Sequence, residues 1–463
     1  MDAIDVGNRR ELFVDDFVIG SMSGAAQRLH HPTSRDVAIT LDASWEGNSC
    51  GYVTIFEDGD IYRMYYRGSQ VDEDTGKTPH PEFACYAESR DGIRWTKPEL
   101  GIVAFQGSKQ NNIIWDGAGT HNFAPFRDTN PNCPPDARYK AFGRTKGKAA
   151  LHAFRSPDGI HWVLMRDAPV ITDGKFDSQN VGFWDAQRGE YRAYYRDFRD
   201  GVRDIKTATS RDFLTWTPGE WLAYLGAPDE QLYTNQVIPY YRAPHLFLGF
   251  PTRYVHDRGV LTDFNRKLAE KQTQRTGTSY TDGLLMSSRD GRTFHRFGDA
   301  FIRPGMPLED RWVYGNIYQN WGIVETASDV EGAPNELSFY VGEGARRDGA
   351  RKLRRYTLRI DGFVSMHAPA SGGGFVTKPL RFSGSRLALN FSTSAAGAVG
   401  VEVQDAEGHP VEGFGLEACA DLYGDFVERT VGWKTEDIGA LAGTAIRLRF
   451  VLRDADLFSF QIV

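Results

Sequence analysis

The chain has 463 residues, more than one hydrophobic core normally supports, and therefore predicts two domains. Its formal net charge of −7 argues against a nucleic-acid partner, which would require a basic surface. No apolar run approaches the roughly 18 residues that a membrane-spanning helix needs, so no membrane partner is expected. The cysteines Cys50, Cys85, Cys133 and Cys419 lack zinc-ligand spacing and are expected to be packed thiols.

The N-terminal stretch MDAIDVGNRRELFVDD contains no basic region followed by an apolar one, so no signal peptide is visible. From the sequence as written we expect a cytoplasmic protein. A chain from which a leader had been removed would look the same and would be periplasmic or secreted. The sequence makes no prediction about oligomeric state.

A seven-residue motif occurs four times, with serine first, aspartate third and an aromatic residue last. The copies are SRDGIRW, SPDGIHW, SRDFLTW and SRDGRTF, with their aspartates at Asp91, Asp158, Asp212 and Asp290. An Asp-Gly pair favours the positive φ angles of a hairpin turn, and the aromatic residue can pack over that turn. Four copies predict a supersecondary unit repeated around an axis, as in a β-propeller.

The segments around the motifs repeat one order of strands. Three strands precede each motif and a fourth follows it; in the first unit they read NSCGYVTIFED, IYRMYYRG, FACYAES and GIVAF. A fifth unit, NIYQNWGIVET, ELSFYVGEG and RKLRRYTLRIDG, has no motif and lacks its fourth strand. Because an open edge invites aggregation, we expect the N-terminal segment ELFVDDFVIG or RLHHPTSRDVAITL to supply that strand. Residues 1–362 are thus predicted to form a five-bladed β-propeller closed by the N-terminal segment.

Two segments stand outside this repeat. Residues 261–275 are the longest helix-like window and are interpreted as a loop insertion. After SGGGF, alternating strands such as RLALNFSTS and AVGVEVQDAEG predict a β-sandwich over residues 363–463, with the role of an accessory packing domain. The predicted fold class is therefore all-β, a five-bladed β-propeller followed by a C-terminal β-sandwich.

Recurring polar residues mark the rim opposite the motif turns. An asparagine begins the first strand of every unit: Asn48, Asn122, Asn180, Asn235 and Asn316. The second strand ends with an arginine in four units and a glutamate in the fifth: Arg67, Arg144, Arg196, Arg253 and Glu343. The asparagines fit either ties between neighbouring blades or substrate ligands. A ring of guanidinium groups could hold a carboxylate or sulfate, which leaves an anionic sugar open as the substrate.

Acidic residues interrupt this register just ahead of the asparagines. Glu46, Asp177, Glu230 and Asp310 occupy the position, and the second unit has His121 there. Each acid alone fits equally well as a solvated surface group. Several carboxylates converging on one funnel are what glycosidic bond cleavage uses, one as a protonated acid and one as an ionised base or nucleophile. Neighbouring arginines would separate the pKa values of such carboxylates and divide the two roles.

The strand order over residues 11–362 resembles the five-bladed β-propeller glycoside hydrolases of the furanosidase type, including families 32, 43, 62, 68 and 117. Phrases such as LFVDD, WEGNSCGY, GSKQNNIIW, HNFAPFRD and FDSQN resemble bacterial proteins described as glycosyl hydrolase-like. The trailing region is similar to the sandwich of family 32. The resemblance implies a glycosidase that works in carbohydrate metabolism or polysaccharide degradation.

Three family motifs differ in this chain. The family 32 nucleophile motif NDPNG corresponds to EGNSCG, where Glu46 is the nearby acid. FRDTNP resembles the RDP motif, but Asp128 follows a first strand and falls on the side of the motif turns, which argues against a catalytic role. The EC motif has no counterpart in the third unit, where Asp177 occupies the rim instead.

The sequence therefore predicts a glycoside hydrolase that cleaves an oligo- or polysaccharide with paired carboxylates. The catalytic candidates are Asp177 as base or nucleophile, Glu230 as general acid and Glu46 as a spare or pKa-tuning carboxylate. The substrate-binding candidates, which include hydroxyl ligands and aromatic stacking residues, are Asn48, Arg67, His121, Asn122, Arg144, Gln179, Asn180, Arg196, Tyr233, Asn235, Arg253, Trp312, Asn316 and Glu343.

Two alternatives stay open. A propeller that binds carbohydrate without cleaving it would account for the missing nucleophile motif. A lyase on uronate-containing glycans would use the arginines for the carboxylate and a tyrosine or histidine as the base. No cofactor or metal is expected, although a structural cation in the propeller channel near His121 stays open as well.

Overall fold

A computed structural model describes residues 3–72, 74–271, 274–347, 349–434 and 437–463. These residues form two compact units. One unit contains Pro32–Tyr240 and Pro244–Thr357, and the other contains the N-terminal residues as far as His31, Tyr241–Ala243 and Leu358–Val463. Nearly all regular structure is β, and no helix in the described part of the chain is long and apolar enough to cross a membrane.

The first unit is a five-bladed β-propeller, which confirms the predicted fold class. Blade one has the strands Gly51–Asp58, Ile61–Gly68, Phe83–Ser89 and Ile113–Trp115. Blade two has Ala124–Arg127, Tyr139–Arg144, Leu151–Ser156 and Val163–Leu164. Blade three has Val181–Asp185, Glu190–Arg199, Val202–Ser210 and Glu220–Trp221. In each, consecutive strands pair antiparallel.

Blade four is split between two sheets. The larger sheet contains Ala223–Leu225, Ile238–Tyr240, Ala243–Gly249, Met286–Ser288 and Thr293–Arg296. The smaller one pairs Thr252–Val255 with Tyr280–Gly283, which continue the second and third strands towards the opposite rim.

Blade five is closed by a strand from near the start of the chain. Its strands are Tyr318–Gln319, Val324–Thr326, Glu336–Glu343, Arg351–Arg359 and Thr33–Leu41. Thr33–Leu41 runs antiparallel to Arg351–Arg359, with Leu41 opposite Arg351. This strand comes from the second of the two N-terminal segments considered above. It covers the edge that the fifth unit would otherwise leave open.

The second unit combines both ends of the chain. Among the described residues its sheet has ten strands: Ile4–Gly7, Glu11–Leu12, Ile19–Ser23, Ala26–Leu29, Val364–Ala368, Gly373–Thr377, Leu380–Phe382, Leu387–Asp405, Asp425–Thr430 and Ile446–Ile462. The structure differs here from the predicted boundary, which assigned residues 1–31 to the propeller. Glu11–Leu12 pairs with Ile446–Ile462, so C-terminal strands satisfy these backbone groups. The β-sandwich stays a prediction.

The repeated motif forms the same hydrogen-bonded turn in each copy. In the first, the Ser89 hydroxyl accepts from the Gly92 amide (2.9 Å), and Asp91 Oδ1 accepts from the next two amides (both 2.8 Å). Gly92 has a φ of +69°. In the third copy Phe213 adopts this conformation, at a φ of +65°, and its buried ring stacks on Phe142 with 4.7 Å between centroids. Burial of that ring offsets the strain of a non-glycine residue.

The window 261–275, interpreted as a loop insertion, contains helix among its described residues. The helices of the described chain are Asp263–Lys271 and Gln274–Thr278, with 3-10 turns at Pro135–Ala137 and Ile438–Leu441. Thr262 caps the first helix, because its hydroxyl accepts from the Asn265 amide (3.2 Å) while Asn265 Oδ1 accepts from the Thr262 amide (3.0 Å). Asn265 Nδ2 also donates to the Trp312 carbonyl (2.7 Å), which anchors the helix.

The turns predict a contrast between two glycines that both have positive φ. Gly291→Ala would place a methyl group 2.9 Å from the Tyr194 hydroxyl, at a φ of +77°. Gly189→Ala meets nothing within 4 Å, at a φ of +65°. We expect Gly189→Ala to cost about 1 kcal/mol through backbone strain alone, and Gly291→Ala about 2 kcal/mol more through the clash. Urea unfolding of the two variants measures the difference, and equal losses would contradict this assignment.

Candidate active site

Loops from all five blades meet at one cavity, which we call the central cavity. Its volume is about 200 Å³. It is lined by Asn48, Ser49, Gly51, Tyr52, Arg67, His121, Asp177, Tyr233, Tyr314, Gly315, Tyr318, Ala345, Arg346 and Arg351. Of the residues predicted from the sequence, the cavity brings together Asn48, Arg67, His121, Asp177 and Tyr233.

A chain of charged side chains runs along one wall of the cavity. His121 Nε2 lies 3.0 Å from Asp177 Oδ1, and His121 Nδ1 lies 2.8 Å from Glu82 Oε2. Arg144 Nη1 donates to the same oxygen of Asp177 (3.2 Å). The Asp177 side chain keeps 50% of its surface exposed, whereas Glu82 keeps 9%. Asp177 is therefore the accessible end of the chain.

Both carboxylates are held in their ionised form. The hydrogen bond from His121 lowers the pKa of Asp177 well below its usual range, and the charges of Arg196 and Arg144 act in the same direction. Burial raises the pKa of Glu82, but the hydrogen bond from His121 and nearby positive charges outweigh it and lower the pKa to about 2. His121 bridges the two carboxylates, with one ring nitrogen facing each.

A second part of the cavity lining is phenolic, and we call it the tyrosine wall. Tyr52, Tyr233, Tyr314 and Tyr318 line it, and the Tyr314 hydroxyl donates to Tyr233 (2.8 Å). Burial raises the pKa of Tyr52, Tyr314 and Tyr318, so these phenols are protonated at neutral pH. The Arg196 guanidinium lies 5.1 Å from the centre of the Tyr233 ring, behind the cavity wall. The wall thus offers hydrogen-bond donors and ring faces to a ligand.

The recurrence of asparagine in every blade is structural. Each of the five side chains is at most 1% exposed. Four of them accept from an amide in or just beyond the second strand of their own blade: Asn48 from Val71 (3.0 Å), Asn122 from Arg144 (2.9 Å), Asn180 from Arg196 (3.2 Å) and Asn316 from Ala345 (2.8 Å). Asn235 donates to the carbonyls of Gln179 and Tyr194. The predicted substrate contacts of Asn122, Asn180, Asn235 and Asn316 are corrected, because burial and backbone bonds leave them no access to a ligand.

Three further predicted ligands do not line the central cavity. Gln179 is fully buried and donates to the Thr54 hydroxyl (2.9 Å). Glu343 is fully buried and accepts from Arg354 Nε (2.9 Å). The Trp312 indole donates to a loop carbonyl (2.9 Å). In the sequence, these residues occupy rim positions like those of the cavity residues. In the structure, hydrogen bonds to other groups of the protein hold their side chains away from the central cavity.

Glu46 lies in the interior of blade one, with a fully buried side chain. It accepts from the Tyr66 hydroxyl (2.5 Å), Lys97 Nζ (2.7 Å) and the Ala43 amide (2.9 Å). It borders a different cavity, next to Gln70. The predicted role of Glu46 beside Asp177 is therefore corrected, since its carboxylate already has three donors and does not line the central cavity.

Glu230 is also separated from Asp177. It accepts from Arg253 Nη1 (2.8 Å) and from Arg296, and Arg253 in turn pairs with Asp282 (2.6 Å). Glu230 lines a third cavity together with Asp204. The predicted partnership of Glu230 and Asp177, and the substrate contact of Arg253, are corrected on this geometry.

Several residues of the site were not predicted from the sequence: Tyr52, Tyr314, Tyr318, Arg346 and Arg351 in the cavity lining, and Glu82 beside His121. Glu82 stands one residue before the strand Phe83–Ser89, which begins on the same rim as the asparagines. Its position at the start of a third strand could have indicated Glu82 from the sequence. Recurring polar residues, however, were found only on the first and second strands. In the part of the chain that the structure describes, no group of three or more His, Cys, Asp and Glu could hold a metal ion. A cation near His121 stays a prediction.

Comparison with known proteins gives partial matches. No family model matches the chain. Two curated proteins of Mycobacterium tuberculosis, both uncharacterized, are 31% identical over 139 residues, 29% of this chain. The match spans 41% of the length of these relatives.

Solved structures to which the chain is similar include glycoside hydrolases. One is a glycoside hydrolase with a TM-score of 0.47 and 13% identity, covering 72% of this chain and 93% of that chain. A thermostable family-43 glycoside hydrolase has a TM-score of 0.46 and 13% identity, covering 73% and 96%. An endo-arabinase from Bacteroides thetaiotaomicron has a TM-score of 0.41 and 9% identity, covering 72% and 98%.

The buried position of Glu46 predicts a loss of stability when its charge is removed. Glu46→Gln leaves Lys97 with one exposed carboxylate partner, Asp42, and we expect a loss of about 2 kcal/mol in the free energy of unfolding. Asp42→Asn is the matched control, because it removes the exposed partner of the same lysine and should change stability by less than about 1 kcal/mol. Thermal unfolding of both variants tests this; equal effects would argue against a structural role for Glu46.

The low pKa of Glu82 predicts a pH dependence of stability. Because folding lowers this pKa from 4.5 to about 2, the ionised carboxylate stabilises the fold fully above pH 4.5, and the contribution is lost as the pH falls towards 2. Over that window the free energy of unfolding should fall by up to about 3 kcal/mol more in the wild type than in Glu82→Gln. Urea unfolding at successive pH values measures both slopes. Glu99→Gln, an exposed substitution, should follow the wild type.

Proposed function

We propose that the protein cleaves glycosidic bonds in an oligo- or polysaccharide and that the central cavity is its active site. The observation that carries this proposal is the half-exposed Asp177 carboxylate, kept ionised by His121 and Arg144 at the point where all five blades meet. An ionised carboxylate next to a sugar can act as a base on water or as a nucleophile on the anomeric carbon.

The size and lining of the cavity support a small or terminal sugar unit as the bound group. A volume of about 200 Å³ is below the range of pockets that take drug-sized ligands. Tyr52 and Tyr318 offer ring faces, and the paired hydroxyls of Tyr233 and Tyr314 can exchange hydrogen bonds with sugar hydroxyls. The rest of a glycan would extend out of the cavity.

Hydrolysis also needs a proton for the leaving oxygen. Among the described residues that line the central cavity, Asp177 is the only carboxylate. The donor would then be a phenol of the tyrosine wall or His121. A buried phenol that is protonated at neutral pH, such as Tyr314, can supply that proton.

A single carboxylate among the described lining residues also favours elimination as a second candidate reaction. A lyase acting on a uronate removes the proton next to the carboxylate, forms a carbon–carbon double bond and releases the glycosidic oxygen, which takes up a proton. Asp177 would be the base, a phenol the proton donor, and an arginine such as Arg351 would bind the carboxylate of the substrate. This route needs no carboxylic acid in the cavity.

The test is Asp177→Asn against a glycan panel that includes uronate-containing polymers. We expect at least a hundredfold loss of turnover, because the amide can neither accept a proton nor attack carbon. New reducing ends without ultraviolet absorbance indicate hydrolysis, and an absorbing unsaturated product indicates elimination. Asp167→Asn, an exposed substitution outside the cavity, is the control. Unchanged turnover in Asp177→Asn would remove the proposed site, and a wild type that binds glycans but cleaves none would indicate a binding propeller.

A further inference from the structure

We propose that the central cavity recognises a sugar that carries a carboxylate or a sulfate ester, through surrounding arginines that form no ion pair with a carboxylate among the described residues. The inference rests on the proposed function for the location of the sugar, and it adds the charge of the substrate. Four arginines carry it: Arg351, which lines the cavity, and the flanking arginines Arg196, Arg203 and Arg275. Two further lining arginines, Arg67 and Arg346, add positive charge.

Two of the lining arginines, Arg351 and Arg67, donate mainly to neutral oxygen atoms. Arg351 is 6% exposed, and its guanidinium donates to the carbonyls of Cys50 (2.7 Å) and Gly315. Arg67 Nη2 donates to the Ser49 carbonyl (2.7 Å), while Arg67 Nη1 lies 3.9 Å from Glu82, which is already bound to His121. The charge of these side chains is thus poorly compensated at the cavity surface.

The flanking group stacks on the tyrosines behind the wall. Arg196 lies over Tyr233 at 5.1 Å, Arg203 over Tyr254 at 4.4 Å and Arg275 over Tyr314 at 4.4 Å from the ring centres. Their hydrogen-bond partners are neutral as well: Arg203 donates to the Gln231 side chain, and Arg275 donates to the Tyr314 hydroxyl. No ion pair with a carboxylate is found for Arg196, Arg203, Arg275 or Arg351 among the described residues.

Other buried arginines of the propeller are neutralised. Arg63 pairs with Asp58 (2.6 Å), Arg253 with Asp282 (2.6 Å) and Arg355 with Asp329 (2.9 Å). Burying a cation without such a partner is costly, so a propeller built for stability alone would supply carboxylates around the central cavity too. The arginines without an ion-paired carboxylate lie at the central cavity, where a bound ligand could supply the negative charge.

The positive charges of these arginines also repel one another. Burial lowers the pKa of Arg203, and the charges of Arg275 and Arg196 lower it further. Burial lowers the pKa of Arg351 to about 10, with the charges of Arg67 and Arg346 acting in the same direction. A bound anion would relieve this repulsion in both groups.

The chemistry of the ligand follows from the donors. Guanidinium forks match the paired oxygens of a carboxylate or a sulfate, and the phenols can bond to sugar hydroxyls. A uronic acid and a sulfated sugar share this oxyanion. Asp177 would face the sugar rather than the anion, because its own charge opposes an anion beside it.

Calorimetric titration with glucuronate, glucose 6-sulfate and glucose tests the charge of the ligand. These sugars contain no bond to cleave, so the result is independent of the proposed reaction. We expect at least one anionic sugar to bind about tenfold or more tightly than glucose, and added salt to weaken that binding. Preference for glucuronate identifies a carboxylate, and preference for glucose 6-sulfate identifies a sulfate ester. Equal binding of glucose, or no binding of either anion, overturns the inference.

Two variants connect the binding to this cavity. Arg346→Gln should weaken the anionic sugar about tenfold, whereas Arg347→Gln, the neighbouring arginine that pairs with Glu309 instead, should leave it unchanged. Asp177→Asn should strengthen anion binding, because it removes the negative charge of the cavity, whereas mere structural damage would weaken it. A cleaved neutral glycan with no anion binding would refute this inference alone, and anion binding without cleavage would refute the proposed function alone.

Discussion

Pairing of Thr33–Leu41 with Arg351–Arg359 is the interaction on which the propeller depends. The first four blades take their strands from consecutive segments, but the fifth obtains its last strand from the opposite end of the unit, at the cost of ordering a long loop. In this pairing Leu41 lies opposite Arg351, a residue of the central cavity. The strand that closes the ring therefore also positions one of the cations of the site.

Within the closed ring, an asparagine tie recurs from blade to blade, and the candidate site residues stand beside these ties. An asparagine ties the loop before the first strand to the end of the second strand, as Asn122 and Asn180 do. These ties hold the loops rigid, so that the residues beside them are placed with precision. Asp177 and His121 stand next to such ties. Of the acids just ahead of the asparagines, the repeated frame places only Asp177 among the described residues that line the central cavity.

The charged groups at the central cavity are unevenly paired. Asp177 and Glu82 are both held by His121, while several arginines rest on carbonyl oxygens and aromatic rings. Repulsion among unpaired guanidinium ions destabilises the empty cavity, and a bound oxyanion would remove that repulsion. Ligand binding and thermal stability should therefore be coupled in this protein.

Contacts between residues close in sequence determine some features of this protein, and contacts between distant residues determine others. The sequence by itself determined the motif turns, the number of blades and the rim on which the polar residues stand, because a turn such as Ser89–Gly92 is bonded within a few residues. Asp177 and His121 were predictable from the same register. Only the tertiary structure decided which acids meet: Glu46 has the same place in the repeat as Asp177, yet Tyr66 and Lys97 hold it inside blade one. Glu82 is held beside the cavity residue His121, from the next blade, because His121 binds it. The direction of a loop side chain is set by partners distant in sequence, and a repeat pattern carries no information about them.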